Sequence, residues 1–362
     1  MILCNGKQFE IEENLFRAII RLWDGLTDGP FWIDAICINQ EDLAERSAQV
    51  QIMGDIYAKA IGVAVWLGEH DEASRVALPI IEMVGTAIDE IEIDDPKIGI
   101  MRSRPPFDDP SIYSIFSIEP ITQSEWVCIY KFFSRTWFER VWIVGEIVLA
   151  QEAGFICGDV EIDHSKVFSF VNFLTLTGWD AYLWVPKPSI EEEEESPNTG
   201  VQRLLTMHMG DMDSSGNFKS LVTQNVLENL FAPQTPRQKV CGQLGVLCIA
   251  NRSRCATDAR DFIYAPLAFV LRLAGDERDS LPKPDYKMSA REVFIDTASY
   301  FLSTAGHLGP LSFVYYNNRN SPLQLPSWVP AFNMKVVNLP LISPGVYNAT
   351  QPWGESSRKY GS

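Results

Sequence analysis

Long apolar runs and an excess of basic residues are both missing from this 362-residue sequence. No uninterrupted apolar segment approaches the roughly 20 residues that a helix needs to cross a bilayer, so we expect no contact with membranes. Lys and Arg total 30 against 47 Asp and Glu, which leaves a formal net charge of −17 at pH 7. Because so acidic a surface repels phosphate backbones, the composition also argues against nucleic acid as a partner.

Disulfides, metal sites and the usual phosphate-binding loops are not expected either. The seven cysteines are odd in number and lie mostly in apolar segments, which is typical of reduced thiols in the cytoplasm. Met1–Glu10 lacks the basic leader and apolar core of a signal peptide, in agreement with a cytoplasmic location. The four histidines are isolated, and Cys241, Cys248 and Cys255 are spaced too widely for typical zinc ligands. With no GxxxxGKS/T loop and no GxGxxG turn after a strand, no cofactor is predicted from the residues themselves.

The first 70 residues alternate short apolar runs with amphipathic stretches, a pattern typical of β-α-β units, and they begin a predicted α/β domain of residues 1–158. The almost entirely apolar run Phe31–Ile38 predicts a strand buried on both faces. Asn39 is placed to cap a helix that extends to about Ala60, and Gly62–Leu67 predicts a second buried strand. Together they predict a right-handed strand-helix-strand crossover. The expected fold class is α/β, with a mostly parallel sheet flanked by helices. Other elements are predicted at Glu12–Trp23, about Arg75–Ile91, Glu125–Phe133 and Thr136 to about Gln151 (helices) and at Phe155–Cys157 (strand).

The remainder of the chain divides into three parts. Residues 159–235 form a connecting region, and within it residues 187–216 contain five consecutive glutamates, Glu191–Glu195. Because such a run cannot bury apolar area, we expect a solvated acidic linker. Residues 236–340 predict a mainly helical C-terminal region, and the polar residues 341–362 predict a flexible tail. Apolar residues recur at helical spacing in three segments of this region: Pro236–Asn251, Arg260–Leu273 and Ser289–Thr304.

Two carboxylates stand out because each lies in an apolar element. Asp34 is the one charge in the run Phe31–Ile38, and it needs either a hydrogen-bonding partner in the core or a functional role. Glu146 projects from the apolar stripe of its own predicted helix. It could hydrogen-bond a ribose hydroxyl or stabilise an oxocarbenium ion. It could equally anchor its helix through a salt bridge to Arg135 or another segment, and both alternatives stay open.

Asn39 and Gln40 directly follow the first predicted strand, where open α/β sheets place their ligand crevice. As a helix cap alone, Asn39 would be equally expected at this position. Arg140 is six residues before Glu146 and on a different face of the predicted helix, which makes it a poor intrahelical partner. Trp142, like Trp32, Trp66 and Trp137, is expected to pack in the core.

Two long blocks carry a resemblance to a known family. The first is WIDAICINQEDLAERSAQVQIMGDIYAKAIGVAVWLG (Trp32–Gly68), and the second is RTWFERVWIVGEIVLAQEAGFICG (Arg135–Gly158). Both resemble the two motif blocks of the heterokaryon incompatibility (HET) domain of filamentous fungi. Three downstream segments also look like those of such proteins, and the resemblance therefore spans most of the chain. These segments are TDARDFIY (Thr257–Tyr264), PDYKMSAREVF (Pro284–Phe294) and LPSWVP (Leu325–Pro330).

The sequence departs from the family pattern at two places. Members usually have an ALSYxWG-type strand before the Asn-Gly segment, whereas this sequence begins almost at Cys4-Asn5-Gly6, so we expect that first strand to be absent. Gly145 replaces the usual glutamine before Glu146, which removes a polar side chain there and costs about 1 kcal/mol relative to alanine in a helix.

The resemblance implies a role in fungal nonself recognition and programmed cell death. Distant similarity of the family to TIR domains implies a TIR-like or flavodoxin-like fold and NAD as a substrate, cleaved at its N-glycosidic bond. Glu146 is then the counterpart of the catalytic glutamate. Asp34, Asn39, Gln40, Arg140 and Trp142 are the expected ligand-binding residues.

Two other functions remain open. The chain could be a non-catalytic signalling or scaffold module that self-associates or binds a protein partner, with Glu146 structural. It could also be a family member recruited to another small-molecule reaction, such as a step of a secondary-metabolite pathway. Whether it is an enzyme is therefore undecided by the sequence.

Overall fold

The structure is a computed structural model that describes residues 1–23, 29–92, 95–179, 233–314 and 322–334. The predicted acidic linker at 187–216 and the predicted tail at 341–362 lie outside the described residues. All seven cysteines are described, and all are free thiols.

The chain begins with a two-stranded antiparallel hairpin, in which β1 (Ile2–Cys4) pairs with β2 (Lys7–Phe9) and Ile2 lies opposite Phe9. Asn5 and Gly6 connect the strands, and both have positive φ angles, of 51° and 77°. An Asn-Gly pair in this conformation matches the right-handed twist of the flanking strands, which is why it is favoured in two-residue hairpins. The sequence analysis missed this hairpin because each strand is only three residues long.

A three-stranded mixed sheet lies in the centre of residues 1–179. Its strands are β3 (Val63–Trp66), β4 (Ala153–Cys157) and β5 (Val160–Asp163), in the order β3-β4-β5. β3 and β4 are parallel, with Val63 opposite Ala153, whereas β4 and β5 are antiparallel. The predicted mixed α/β class is confirmed, but the described sheet is small and has one parallel and one antiparallel pair.

The predicted strand at Phe31–Ile38 is wrong. Residues Asp34–Cys37 form a short helix, α2, and of the whole run only Ile38 is buried, while Phe31 is 43% exposed. A short apolar run has no periodicity that separates a strand from a helical turn. Because this strand is absent, so is the predicted crossover from Phe31 to Leu67.

The predicted cap at Asn39 is also wrong. Asp42 caps the following helix, and its Oδ1 accepts hydrogen bonds from the backbone N–H groups of Ala44 (2.9 Å) and Glu45 (3.1 Å). Asn39 instead accepts a bond from the backbone of Glu41, at 3.2 Å. Asp42 is the better cap because its side chain reaches both the second and the third N–H of the helix.

The other predicted helices differ from the structure by at most three residues at either end except in one place, whereas the helices at Pro96–Arg102, Pro110–Ile115 and His164–Thr177 were not predicted. The predicted helix from Thr136 to about Gln151 is split into α8 (Thr136–Glu139) and α9 (Ile143–Val148). Between them, Val141 N–H donates to the carbonyl of Cys255 at 3.1 Å, so a strand-like bridge to the C-terminal region replaces a helical turn. The remaining helices are α1 (Glu13–Trp23), α3 (Leu43–Lys59), α4 (Glu72–Asp89), α5 (Pro96–Arg102), α6 (Pro110–Ile115), α7 (Gln123–Phe133), α10 (His164–Thr177), α11 (Pro236–Ala250), α12 (Asp261–Leu273) and α13 (Ala290–Ala305).

One apolar core runs from residue 50 to residue 332 and includes both the α/β part and the C-terminal helices. α4 packs against α7 and α10, and α3 packs against α12. Gly54 lets α3 and α12 approach closely, because a Cβ at this position would lie 2.6 Å from the carbonyl oxygen of Ala268. Among the described residues, no helix combines the length and apolarity that a bilayer crossing requires.

Candidate functional site

Glu146 lies in α9 and is almost entirely buried, with 8% of its surface exposed. Its Oε2 accepts a hydrogen bond from the indole Nε1 of Trp137 at 3.2 Å. Its Oε1 lies 3.7 Å from Nη2 of Arg140. The two residues approach because the chain leaves the helical path between α8 and α9, whereas within the one continuous helix that was predicted Arg140 would be a poor partner.

Four ionisable groups share an electrostatic environment around Glu146. Burial raises the pKa of Glu146, and the carboxylate of Asp34 adds to this, while Arg140 and the Trp137 hydrogen bond act against it. The pKa of Arg140 is raised, chiefly by the negative charge of Glu146. Burial also raises the pKa of Tyr57 well above its usual value, with further contributions from Glu146 and Asp34. Such shifts are frequent at functional sites, although structural ion pairs produce them too.

Arg140 is more open to solvent than Glu146, since 43% of its side chain is exposed against 11% of the Glu146 side chain. Tyr57 is half-buried and lies edge-on to Trp32, with ring centroids 5.9 Å apart. An anion arriving from solvent would therefore meet the Arg140 guanidinium before it reached the carboxylate. Among the described residues, no three His, Cys, Asp or Glu side chains are grouped so that they could hold a metal ion.

Asp34, Asn39 and Gln40 form a local network in the loop before α3. Asp34 Oδ1 accepts a bond from the backbone N–H of Ala35 at 2.7 Å, and Gln40 Nε2 donates to the backbone carbonyl of Asp34 at 3.3 Å. The backbone N–H of Asn39 donates to Glu45 Oε1 at 2.9 Å. Asn39 and Gln40 are exposed and shape this loop, whereas Asp34 also acts on Glu146 and Arg140 through its charge.

Trp142 belongs to a second cluster, which the sequence analysis missed. Its Nε1 donates to Asp261 Oδ2 at 3.3 Å, and the buried Tyr286 hydroxyl donates to Asp261 Oδ1 at 2.6 Å. The guanidinium of Arg46 stacks on the Tyr286 ring, 3.8 Å from its centroid. On the other side, Arg260 lies 5.0 Å from the same centroid and pairs with a neighbouring aspartate, Asp258, at 2.7 Å.

The signal for this second cluster was available in the sequence. The segments Thr257–Tyr264 and Pro284–Phe294 had been matched to the family, and they supply Asp261 and Tyr286. Arg46 comes from the first motif block and Trp142 from the second. Residues from four matched segments therefore meet in one place, and the sequence analysis did not pair them.

A groove of about 480 Å³ lies at the carboxyl ends of the parallel strands β3 and β4. Its lining includes Trp66 at the end of β3, Gly158 just after β4, and Arg17 on α1. This is the edge at which α/β sheets place ligands. Glu146 is not among its lining residues, and none of the predicted ligand-binding residues lines it.

Comparison with known proteins agrees with the motif blocks. A family model described as "Heterokaryon incompatibility protein (HET)" matches residues 1–146. Residues 1–146 are thus similar to the HET family. A curated relative, "Heterokaryon incompatibility protein 6, OR allele" of Neurospora crassa (strain ATCC 24698 / 74-OR23-1A / CBS 708.71 / DSM 1257 / FGSC 987), is 27% identical over 344 residues. The alignment covers 85% of this chain and 45% of the relative, so the chain spans less than half the length of that protein. No solved structure gives a significant match.

The HET match ends at Glu146, but the contacts of the matched residues extend further along the chain. Arg46 and Trp142 reach Tyr286 and Asp261, which lie more than 100 residues beyond the end of the match. In this chain the residues of the HET-like motifs are therefore packed against the C-terminal helices.

Proposed function

We propose that this chain acts in nonself recognition in a filamentous fungus, as a cytoplasmic signalling module that associates with a protein partner or with itself. In this proposal the Glu146 cluster holds the HET motifs together and takes no part in catalysis. The observation that carries it is the state of the Glu146 carboxylate, which is 8% exposed with both oxygens engaged. The name of the Neurospora relative, a heterokaryon incompatibility protein, supports the biological role.

A catalytic carboxylate needs access to the reacting atoms, either directly or through one water. At Glu146, Trp137 covers one oxygen and Arg140 faces the other. A carboxylate in this setting anchors an indole and a guanidinium, and removing it would leave the buried Trp137 N–H without its acceptor. Loss of a buried hydrogen bond of this kind costs about 1–3 kcal/mol.

NAD binding with cleavage of its N-glycosidic bond is the second candidate function. It is favoured by the exposed portion of the Arg140 side chain, whose Nη2 lies 3.7 Å from Oε1 of Glu146. In that reaction Arg140 would hold the diphosphate, and the ionised Glu146 would stabilise the ribosyl cation that forms as nicotinamide leaves. Asp34 would add negative charge beside the same centre.

The two functions are separated by nicotinamide release from NAD, measured by liquid chromatography on the full chain. Glu146→Gln is the test variant, and Glu152→Gln, an exposed glutamate just before β4, is the matched control. We expect no nicotinamide above the enzyme-free blank from the wild type or either variant. Release by the wild type and by Glu152→Gln, but not by Glu146→Gln, would establish the catalytic function and overturn the structural one.

The biological role is tested by expressing the chain in a filamentous fungus and scoring growth arrest and cell death. We expect the wild type and Glu152→Gln to cause arrest. Glu146→Ala should lose the response together with about 1–3 kcal/mol of stability, measured by urea unfolding of the purified protein. Absence of arrest with the wild type would refute the role in incompatibility. Loss of arrest in Glu146→Ala without any loss of stability would refute the structural role of Glu146.

A further inference from the structure

The groove at the carboxyl ends of β3 and β4 has a cationic wall, although the chain as a whole carries a net charge of −17. Arg17 and Arg21 enter it from α1, and Arg75 enters from the first turn of α4. Two acidic side chains, Glu69 and Asp159, also line it. The three guanidinium groups are therefore not fully balanced by the carboxylates of the lining.

The three arginines differ in how far their charges are already engaged. Arg21 donates to the backbone carbonyls of Gly158 and Asp159, both at 3.1 Å, and so joins α1 to the turn after β4. Arg17 pairs with Glu13 on its own helix at 2.5 Å and lies 3.6 Å from Glu69. The exposed Arg75 side chain has no hydrogen bond or ion pair with any residue that the structure describes.

Apolar side chains of α1 also line the groove. Phe16 and Ile20, one turn apart on α1, are 42% and 45% exposed, and both line the groove. α1 buries only Ala18 completely. Covering the two exposed side chains would be favourable at about 25 cal/mol per Å² of apolar surface.

The floor of the groove is rigid because Gly158 and His70 approach each other closely. Gly158 has a φ angle of +56°, and a Cβ at this position would lie 2.7 Å from Cδ2 of His70. His70 is held in turn by Asp159, whose Oδ1 is 3.1 Å from Nε2, and by Ser74, whose Oγ is 3.2 Å from Nδ1. A preformed floor lowers the entropy that a ligand loses on binding.

We propose that this groove binds a small molecule that carries an oxyanion on an apolar body. Arg75 holds the oxyanion, a phosphate or a carboxylate, with support from Arg17. Phe16 and Ile20 cover the apolar body. This site is separate from the Glu146 cluster and goes beyond the proposed function, so neither result of the NAD experiment affects it.

Isothermal titration calorimetry of the full chain, in low-salt buffer free of phosphate, tests the proposal. The ligands are phenyl phosphate, benzoate and, as a neutral analogue, phenol. We expect saturable binding of at least one of the two anions and much weaker binding of phenol. Binding of either anion more tightly than phenol supports the proposal, and the anion that binds more tightly identifies the preferred head group.

Variants then locate the site. Arg75→Gln should weaken binding of the preferred anion about 10-fold, the loss typical of one charge-assisted hydrogen bond. Arg102→Gln, an exposed arginine at the end of α5, should leave it unchanged. Phe16→Ala should weaken the binding of phenyl phosphate but not the binding of inorganic phosphate. The proposal is overturned if neither anion binds, if phenol binds as tightly as the anions, or if Arg75→Gln binds like the wild type.

Discussion

Replacing Tyr286 by Phe removes a single hydroxyl from the point where the HET motifs meet the C-terminal helices. Tyr286 is 1% exposed, and its hydroxyl donates to Asp261 Oδ1 at 2.6 Å. The phenylalanine ring keeps the shape of the site and the stacking surface for Arg46. What is lost is one short hydrogen bond to a buried carboxylate.

The cost of this change follows from the charge of the acceptor. A hydrogen bond to a charged group contributes about 1.5–3 kcal/mol, and we expect Tyr286→Phe to lose that amount at pH 7. Burial raises the pKa of Asp261, and the Tyr286 bond opposes this by stabilising the ionised form. Without the hydroxyl the folded-state pKa rises further, so the ionised form at neutral pH becomes less stable.

The difference between the folded and unfolded pKa of Asp261 also sets the direction in which stability depends on pH. A carboxyl whose pKa is raised on folding contributes stability below its unfolded pKa and loses it as the pH rises through the folded value. Because the pKa of Asp261 is raised on folding, the folded protein protonates this carboxyl before the unfolded chain does as the pH falls toward about 4, and its bond to Tyr286 then joins two neutral groups. The loss caused by Tyr286→Phe should therefore shrink to about 1 kcal/mol on going from pH 7 to pH 4.

Urea unfolding at the two pH values measures these losses. Tyr264→Phe is the matched control, because the Tyr264 hydroxyl bonds only to backbone atoms of Asp285, donating to the carbonyl at 2.8 Å and accepting from N–H at 3.1 Å. Because these partners are uncharged, the free energy of unfolding lost in Tyr264→Phe should be the same at pH 7 and pH 4. Equal losses for Tyr286→Phe at both pH values would refute the argument that Asp261 is ionised and held by this bond.

Three glycines yield further predictions, each measured by urea unfolding. Gly54→Ala should destabilise by about 1–3 kcal/mol, because its Cβ would lie 2.6 Å from a carbonyl oxygen of α12 and force the two helices apart. Gly145→Ala should instead stabilise by up to about 1 kcal/mol, since its Cβ would meet Phe269 at an ordinary 3.9 Å and alanine is the better helix former; a loss of stability would show that the position needs glycine. Gly158→Ala should cost about 1–3 kcal/mol through its positive φ angle and shift the NMR signals of His70, and an unshifted His70 would contradict the close approach.

Local features of the sequence were sufficient for most helices. The C-terminal helices lie within one or two residues of prediction, because apolar spacing and end signals such as Pro236 and Gly306 act within a few residues of the chain. The strand at Val63–Trp66 and the free state of the cysteines were also predicted correctly. The motif blocks identified the family because they are long and specific.

By itself, the sequence thus determined the similarity to the HET family, the mixed α/β class and the positions of most helices, all of which depend on residues near one another in the chain. Tertiary structure decided the rest. Phe31–Ile38 is not a strand, because no neighbouring strand pairs with it in the described sheet. The backbone bridge from Val141 to Cys255 splits the predicted helix and brings Arg140 to Glu146. Hydrogen bonds and ion pairs between residues more than 100 positions apart have no periodicity by which sequence analysis could find them.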